Sequence, residues 1–339
     1  VIATGARAAV PAIRGLDGVP FLTNETVFTL TERPAHLMVL GGGPIGCELA
    51  QAFARLGTRV TLVQRDDRLL PHDDPDAAAL VHSALLRDGV TLHLGHDAAA
   101  VEQSGTGIAV TVRRDGADRR IEGDRLLVAL GRTPNIERLG LDAAGIASTS
   151  DGVTVNDRLQ TSNRSVFAVG DVACRARFTH MADFEARLVV ANALFYGRGK
   201  ASGLIVPWAT YTDPEVAHVG LSAEAVGRLG DRVQTVTLPL AEVDRAVLDD
   251  ATDGFVRIHL AQGSDRILGA TVVAEHAGEM LGELALAMTA GAGLATIGKT
   301  IHPYPTQAEA FRKAADRWRR GKLTPLVRRI LALWFRFVN

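Results

Sequence analysis

The stretch His36-Leu37-Met38-Val39-Leu40-Gly41-Gly42-Gly43-Pro44-Ile45-Gly46 decides the fold of this chain. Its apolar run predicts a buried strand, and the pattern Gly41-x-Gly43-x-x-Gly46 predicts a tight turn that opens a helix. The three glycines suit a tight turn, a close approach of the backbone to a pyrophosphate, and close packing of helix on strand. The alternative is a chance glycine-rich turn, so the neighbouring sequence has to decide.

The residues after this turn complete a β–turn–α–β unit. Apolar residues recur at helical spacing from Pro44 to about Leu56, and Gly57 is placed to end the helix. Arg59-Val60-Thr61-Leu62-Val63 predicts a second parallel strand. The unit spans about 30 residues, which is the setting of a dinucleotide-binding fingerprint. The helix N-terminus would offer N–H groups and a partial positive charge to the phosphates.

The end of the second strand indicates which nicotinamide cofactor is bound. An acidic residue there would bind the ribose 2′-hydroxyl of NADH. This chain instead has Gln64 followed by Arg65. An arginine pairs with a 2′-phosphate through charge-assisted hydrogen bonds. The sequence therefore favours NADPH and leaves NADH open, and a solvated loop charge is the alternative role of Arg65.

A second nucleotide pattern lies near the middle of the chain. Val166-Phe167-Ala168-Val169 predicts a buried strand that ends in Gly170-Asp171, where the acid can accept a hydrogen bond from a sugar hydroxyl. Thr179-His180-Met181-Ala182 predicts the opening of a helix whose N-terminus would face an isoalloxazine ring. Taken alone, the Gly-Asp pair is explained equally well by a turn that ends a strand.

The bulk composition limits the class of protein. The chain has 339 residues, a hydrophobic fraction of 47% and a net charge of −1, which fits a two- or three-domain protein and argues against nucleic acid as a general partner. Cys47 and Cys174 are its two cysteines, so a disulfide framework is excluded and a reducing cytoplasm is expected. We identify no candidate metal-ligand set.

The first residues indicate how the sequence relates to a whole protein. Val1-Ile2-Ala3-Thr4-Gly5 is an apolar run broken by Thr-Gly, which predicts the end of a buried strand rather than a signal peptide. A domain rarely begins in mid-strand, so we expect a fragment of a longer polypeptide. The alternative is a natural N-terminus from which Met has been removed.

Several short motifs, in the same order along nearly the whole chain, resemble those of the pyridine nucleotide–disulfide oxidoreductases. That family includes glutathione reductase, dihydrolipoamide dehydrogenase and mercuric reductase. The motifs, besides the glycine turn, are Ala3-Thr4-Gly5, Gly131-Arg132-Thr133-Pro134-Asn135, Thr161 with Val166-Phe167-Ala168-Val169-Gly170-Asp171, and Tyr211-Thr212-Asp213-Pro214-Glu215-Val216-Ala217 with Val219-Gly220.

The resemblance implies an α/β fold with two Rossmann-like nucleotide-binding domains and a C-terminal α+β dimerisation domain, and hence a homodimer. Residues 1–27 and 132–204 would form an incomplete FAD-binding domain. An NAD(P)-binding domain at 28–131 would be inserted between these halves, and residues 205–320 would form the dimerisation domain. A tail at 321–339 would follow.

The resemblance also implies a set of flavin-site residues. Those expected to bind FAD are Thr4, Gly5, Gly131, Gly170, Asp171, His180, Met181 and Ala182. Glu48 matches the family glutamate that pairs with a flavin-side lysine. That lysine, the first FAD glycine motif and the Cys-x4-Cys disulfide of the family would precede Val1. We interpret Cys47 and Cys174 as structural.

The run His302-Pro303-Tyr304-Pro305-Thr306-Gln307-Ala308-Glu309 resembles the C-terminal motif that separates the subfamilies. Thiol-disulfide members carry His-Pro-Thr-x-x-Glu, in which a Glu-oriented His protonates the leaving thiolate. Alignment on Pro305-Thr306 and Glu309 puts Tyr304 in the acid–base position, as in mercuric reductases, with His302 two residues earlier. Tyr304 and Glu309 would reach the partner subunit's site. Loop packing at a subunit interface is the alternative.

The expected function is that of a mercuric reductase-like, FAD-dependent NAD(P)H oxidoreductase. Hydride would pass from nicotinamide to flavin, and electrons would pass on to a disulfide or a metal ion. One departure leaves the acceptor open, since mercuric reductases end in a vicinal Cys pair and this chain does not. The alternatives are an NAD(P)H:quinone or oxygen reductase and a non-catalytic NAD(P)-binding and dimerisation fragment.

The tail mixes apolar and basic residues. Its sequence from residue 323 contains Leu326, Val327, Ile330, Leu331, Trp334, Phe335 and Phe337 with Arg328, Arg329 and Arg336. This segment is too short and too charged to span a bilayer. A basic amphipathic helix can make weak contact with a membrane surface. A helix packed on its own domain or on a partner subunit is the favoured alternative.

Overall fold

The protein is described by a computed structural model that covers residues 1–173, 176–323 and 325–338. The chain divides into two compact units. Unit 1 comprises Val1–Pro71 and His82–Val206, and unit 2 comprises His72–Val81 and Pro207–Asn339.

The strands that belong to unit 1 are short and numerous. They are β1 (Ala6–Ala8), β2 (His36–Leu40), β3 (Arg59–Gln64), β4 (Thr91–Leu94), β5 (Asp97–Ser104), β6 (Gly107–Arg114), β7 (Ala117–Gly123), β8 (Arg125–Val128), β9 (Arg132–Pro134), β10 (Ser148–Thr149) and β11 (Gly152–Val153). The α-helices from the first two hundred residues are α1 (Pro44–Arg55), α2 (Pro75–Arg87) and α3 (Thr179–Leu194).

A four-stranded parallel sheet of order β4-β3-β2-β8 forms the centre of unit 1. Every residue of β2 is buried, as expected of a parallel strand covered on both faces. Helix α1 links β2 to β3 and ends before Gly57, whose φ of +87° is the left-handed conformation of a helix-terminating glycine. The predicted β–turn–α–β unit is therefore confirmed.

An antiparallel sheet of order β5-β6-β7 packs beside the parallel one. The runs Ile108–Arg113 and Arg119–Ile121 around Asp115-Gly116 predict a small antiparallel insertion. Asp115 and Gly116 both have positive φ, 51° and 80°, which is the backbone of a type I′ hairpin turn, so the insertion is confirmed. Strand β5 is absent from the sequence prediction, because its run of small alanines lacks the β-branched residues that mark a strand. The core between the sheets includes Leu16, Met38, Val101, Val110 and Leu126.

The predicted strand over Val166–Val169 does not form as a regular strand. Its backbone makes two single bridges, one parallel to Ile2 through Ala168 and one antiparallel to Gln160 through Phe167. The segment at Ile2 and the segment at Gln160 each pair with this run at a single residue, so neither forms a continuous strand ladder with it. In the run of residues 1–5, Ile2 makes this bridge and the Gly5 carbonyl accepts from the Asn135 N–H. The β-branched run Val153-Thr154-Val155 predicts a strand, and the structure has the shorter β11 (Gly152–Val153) there. The domain boundaries proposed from the sequence stay predictions.

Unit 2 is an α+β structure built on one antiparallel sheet. Its strands are β12 (Pro207–Thr210), β13 (Glu215–Gly220), β14 (Val233–Pro239), β15 (Phe255–Ala261) and β16 (Ile267–Ala274), in the order β12-β13-β16-β15-β14. Its helices after β13 are α4 (Ala223–Leu229), α5 (Asp244–Leu248), α6 (Ala277–Thr289), α7 (Leu294–Ile297), α8 (Glu309–Gly321) and α9 (Pro325–Val338). Helix α6 packs on β13 and β16, and α8 packs on β14 and β15.

Hydrogen bonds and ion pairs of Asp73, Asp74 and Asp76 hold residues 72–81 against this sheet. Nη1 of Arg257 on β15 lies 2.8 and 2.7 Å from the two carboxylate oxygens of Asp74, and its Nη2 lies 2.6 Å from Asp76. Nε1 of Trp208 donates to Asp73 over 3.0 Å. The Asp74 side chain is only 2% exposed, and a buried carboxylate is tolerated only with such a partner.

Candidate functional site

The glycine turn after β2 has two closed positions and one open position. A Cβ on Gly41 would lie 2.3 Å from the Ala129 carbonyl oxygen, and a Cβ on Gly46 would lie 1.8 Å from the Gly41 carbonyl oxygen. A Cβ on Gly43 would meet nothing within 4 Å. Gly43 is also the N-cap of α1, and no side chain there accepts the first N–H groups of the helix. The turn thus leaves an open, donor-rich helix end that suits a phosphate.

Gln64 closes the turn from the end of β3. Its Oε1 accepts a hydrogen bond of 2.8 Å from the Gly42 backbone N–H, and its Nε2 donates to Asp66 over 2.7 Å. The side chain is buried. Because both ends of the amide are used within the turn, Gln64 positions the glycines rather than presenting a free group to a ribose.

Three further predicted residues lie close to this turn. Arg65 is exposed, and in residues 1–173, 176–323 and 325–338 its side chain makes no ion pair or hydrogen bond. Glu48 on α1 is half-buried. Cys47 is buried and its Sγ donates to the Gly42 carbonyl over 3.3 Å, which agrees with a structural role. The other predicted structural cysteine, Cys174, lies outside the described residues.

The structure joins three predicted flavin segments that are distant in sequence. Strand β1 pairs with β9, so Thr4 and Asn135 exchange hydrogen bonds, from the Thr4 hydroxyl to a backbone carbonyl at 2.7 Å and from the Asn135 amide to another at 2.9 Å. Arg132 then donates from Nε to Asp171 over 3.0 Å and from Nη2 to the Ala6 carbonyl over 2.7 Å. Arg132, which had no separate role in the sequence prediction, is the residue that connects them.

The predicted flavin glycines differ in their surroundings. Gly5 and Gly131 have φ values of +67° and +108°, and a Cβ on either would meet nothing within 4 Å. Gly170, at φ +70°, would bring a Cβ to 3.1 Å from the Ala182 Cβ. Its N–H donates to the buried carboxylate of Glu185 over 2.7 Å. Glu185 was missed by sequence reasoning, because nothing in its local pattern distinguishes it from a solvated helix charge.

Helix α3 begins at Thr179, as the predicted opening requires. The N-cap is Phe178, and no side chain caps the helix. His180 is exposed and its ring stacks on Phe178 at a centroid distance of 5.2 Å, whereas Met181 is buried. The first N–H groups of a helix are the ones that can receive a polar or anionic group.

In unit 2, Tyr304 is not oriented by Glu309. The Tyr304 hydroxyl, on a side chain that is largely exposed, donates to Asp244 over 2.9 Å. This hydrogen bond raises the pKa of Tyr304 above its ordinary value, and the same bond, together with Lys313, lowers the pKa of Asp244. Glu309 instead forms an ion pair with Arg312.

His302, like Tyr304, has a carboxylate partner from another element. Its Nε2 lies 3.1 Å from both carboxylate oxygens of Glu283 on α6, and its Nδ1 lies 3.1 Å from the Thr300 carbonyl oxygen. The His302 side chain is 5% exposed. Glu283 and Asp244 lie 19 and 60 residues from their partners, so no local motif points to either.

Two family models match consecutive parts of the chain. The model described as pyridine nucleotide-disulphide oxidoreductase matches residues 1–186, and the model of that family's dimerisation domain matches residues 206–315. The mercuric reductase of Staphylococcus aureus is 37% identical over 316 residues, which cover 93% of this chain and 58% of that protein. The dihydrolipoyl dehydrogenase of Thermus scotoductus is 35% identical, with 93% and 69% covered. The chain thus spans about three fifths of the first of these relatives.

Solved structures show the same architecture. LpdA from Mycobacterium tuberculosis aligns with a TM-score of 0.86 and 30% identity, over 93% of this chain and 68% of that one. The HOCl-induced flavoprotein disulfide reductase RclA from Escherichia coli, in its Cu(II) complex, aligns with a TM-score of 0.84 and 30% identity, over 92% and 72%. The chain belongs to the pyridine nucleotide-disulphide oxidoreductase family, with a mixed α/β fold and a C-terminal dimerisation domain.

Proposed function

We propose that this chain serves an FAD-dependent NAD(P)H oxidoreductase, mercuric reductase-like, whose acceptor is a disulfide or a metal ion. The observation that carries the proposal is the glycine turn, which is closed by packing at Gly41 and Gly46 and open at Gly43. Bound FAD would supply the two-electron carrier between nicotinamide and acceptor. A homodimer in a reducing cytoplasm is the proposed setting.

The nicotinamide cofactor would be held by unit 1. The N-terminus of α1 would receive the pyrophosphate, and the open face at Gly43 would allow the backbone to approach it. Gln64 holds the turn through the Gly42 N–H. Arg65 is then the side chain at the strand end that is available for a 2′-phosphate, which supports NADPH over NADH.

The flavin would be held by the joined segments of unit 1. Arg132 neutralises Asp171, whose side chain keeps 17% of its surface exposed and has carboxylate capacity left for a sugar hydroxyl. The open faces of Gly5 and Gly131 leave room beside Thr4 for a group that a Cβ would obstruct. The start of α3, from His180 to Ala182, and Glu48 on α1 complete the proposed set.

Proton transfer to the acceptor would fall to the segment 302–309. The Tyr304 hydroxyl is protonated at neutral pH, as a phenol is, and would be one proton source for the acceptor. The hydrogen bond to Asp244 raises its pKa, so transfer of this proton would require the bond to Asp244 to be exchanged for one to the acceptor. His302, held by Glu283, is the second candidate acid. Glu309 would act on neither directly, because its carboxylate is engaged by Arg312.

The proposal is tested by anaerobic reduction of the purified protein after its flavin content has been measured. NADPH is expected to bleach the flavin absorbance faster than NADH, and a disulfide or Hg(II) is expected to restore it. Tyr304→Phe should slow only the second step. If neither NADPH nor NADH bleaches the absorbance of bound flavin, this function is excluded.

A non-catalytic NAD(P)-binding and dimerisation module is the second candidate. It is favoured by the glycine turn and the match to the dimerisation domain, since neither requires a flavin. Saturable NADPH binding without stoichiometric flavin would establish it. A quinone or oxygen reductase, the third possibility, would instead be shown by reoxidation with menadione or oxygen and none with a disulfide or Hg(II).

A further inference from the structure

The last part of the chain has a charge distribution unlike the rest. From Arg317 to the final residue the sequence contains seven Arg or Lys and no Asp or Glu, whereas the whole chain has a net charge of −1. Arg317 forms an ion pair with Glu242, but Arg320 and Arg329 are exposed. An excess of cations on one short segment creates a local positive potential that attracts an anionic surface.

Helix α9 lies within this cationic segment and exposes large apolar side chains. Ile330, Leu333, Trp334 and Phe335 are each more than half exposed, and the rings of Trp334 and Phe335 lie 5.3 Å apart. Arg329 and Trp334 are five residues apart, so they project about 140° from each other around the helix. The side of the helix away from Arg329 therefore carries Ile330, Trp334 and Phe335, whereas Leu333 lies about 40° from Arg329, at the border of the cationic side.

Helix α9 is a short element over its described residues, Pro325–Val338. Its 14 residues correspond to about 21 Å at the rise of an α-helix, which is shorter than the roughly 30 Å hydrocarbon core of a bilayer. Among the residues that the structure describes, none of the helices combines the length and the apolar character needed to cross a membrane. An amphipathic helix of this kind lies in the plane of the interface.

We propose that α9 is a membrane-surface anchor that binds anionic phospholipid. Its apolar side, centred on Trp334, would enter the boundary between headgroups and acyl chains, and the exposed cations at Arg329 and Arg320 would face the headgroup phosphates. A second copy of this chain is a poorer occupant, because it would bring the same seven cations against these. The binding places the protein, whatever its electron acceptor, at a lipid surface.

Vesicle flotation of the intact chain tests this proposal without any activity measurement. The protein should float with vesicles of equal parts phosphatidylcholine and phosphatidylserine at low salt, and should not float with phosphatidylcholine alone or at high salt. Arg329→Glu should weaken partitioning at least about tenfold, since each cation near an anionic surface contributes about 1 kcal/mol and the change reverses one. Its matched control is Arg228→Glu, an exposed arginine on α4.

Trp334→Ser tests the apolar side, with Leu248→Ser on α5 as its exposed apolar control. We expect the first to weaken partitioning about tenfold and the second to leave it unchanged. Circular dichroism and NADPH binding, unchanged in all four variants, would show that they fold. The proposal is overturned if both vesicle types bind equally or neither binds. It is also overturned if Trp334→Ser changes the oligomeric state by sedimentation velocity without lipid, since α9 would then be a subunit contact.

Discussion

The glycine turn of unit 1 and the segment 302–309 of unit 2 are specified in different ways. In the turn, backbone atoms set the geometry, because Gly46 lies against the Gly41 carbonyl and Gln64 closes the loop from the adjacent strand end. In the segment, side chains from other elements decide what each residue does, and Tyr304 and His302 depend on Asp244 and Glu283. A backbone site is encoded locally in sequence, whereas a side-chain site is encoded by the fold.

The largest expected effect is at Gly46. A Gly46→Val side chain would place Cβ at 1.8 Å from a backbone oxygen that cannot swing aside, so we expect loss of NADPH binding and of cooperative unfolding of unit 1. Calorimetry and NADPH fluorescence titration measure both. Gly43→Ala is the matched control, because its Cβ meets nothing within 4 Å. Gly43→Ala should leave the melting temperature unchanged and still weaken NADPH binding. If both variants bind NADPH normally, the backbone of the turn does not form the pyrophosphate site.

The second largest effect is expected at Arg257. It tests whether an ion pair between side chains stabilises unit 2 as strongly as backbone packing stabilises the glycine turn of unit 1. Arg257→Met leaves Asp74 buried without its partner, and breaking such a pair lowers the free energy of unfolding by about 3–5 kcal/mol. Urea unfolding followed by circular dichroism measures this. The control Arg228→Met removes an exposed pair within α4 and should change the stability by less than about 0.5 kcal/mol. Equal effects would mean that burial of Asp74 is unimportant.

The elements that could be predicted from the sequence are those with local rules. The unit β2–α1–β3 follows from apolar spacing and glycines, and the β6–β7 hairpin follows from Asp115-Gly116. Strand β5 was missed because alanines carry little strand preference. Val166–Val169 was predicted as a regular strand and is not one, because strand formation depends on neighbours that its own sequence does not specify.

The residues of the candidate site also differ in whether the sequence alone could predict them. The glycines of the turn follow from a motif that the sequence shows. The family resemblance placed Thr4 and Asn135 in one split domain, and the hydrogen bonds between them are a finding of the structure. The partners Glu185, Asp244 and Glu283 do not, because an isolated acidic residue on a helix is usually solvated. Contacts between residues so far apart in sequence exist only after the chain has folded, so a single sequence without its fold cannot indicate them.

A smaller effect is expected when His302 loses its partner. Glu283→Ala leaves a ring nitrogen of a side chain that is 5% exposed without its carboxylate, which costs about 1–3 kcal/mol of unfolding free energy. Glu279→Ala, an exposed glutamate on the same helix, is the control and should cost less than about 1 kcal/mol. Thermal unfolding of the two variants in parallel decides the point. Equal melting temperatures would show that the His302–Glu283 contact contributes nothing.

A further prediction concerns Arg65, a side chain next to the glycine turn whose geometry is set by the backbone. Arg65→Ala should raise the Kd for NADPH about tenfold and leave that for NADH unchanged, because a charge-assisted hydrogen bond contributes about 1.5–3 kcal/mol and exposure reduces this. Arg119→Ala, an exposed arginine on β7, should leave both constants unchanged. Titration of cofactor fluorescence gives the four values. A parallel loss of NADH and NADPH affinity would mean that Arg65 supports the turn rather than reading the 2′-phosphate.

The smallest expected effect is a pH dependence in unit 2. Burial lowers the pKa of His218 and of His259 below the usual value of 6.5. For His218 this outweighs the hydrogen bond to the Gly220 carbonyl and the charge of Asp73, and for His259 it outweighs the charge of Asp74. As pH falls below about 6.5, the unfolded chain takes up protons that the folded chain does not yet bind, so the free energy of unfolding decreases. A lowered carboxyl pKa such as that of Asp244 acts in the same direction, but only at more acidic pH.

Urea unfolding between about pH 7 and about pH 5.5 isolates the histidine contribution, because carboxyl groups titrate below this range. His218→Gln should flatten the decrease by no more than about 1.4 kcal/mol for each unit by which its pKa is lowered. His276→Gln, at an exposed position, is the matched control and should reproduce the parent slope. A flat profile in the parent protein would contradict the burial argument. Burial also lowers the pKa of His36 and of His93 in unit 1, so the parent slope includes their contribution. The difference between the parent protein and His218→Gln therefore measures the contribution of His218 alone.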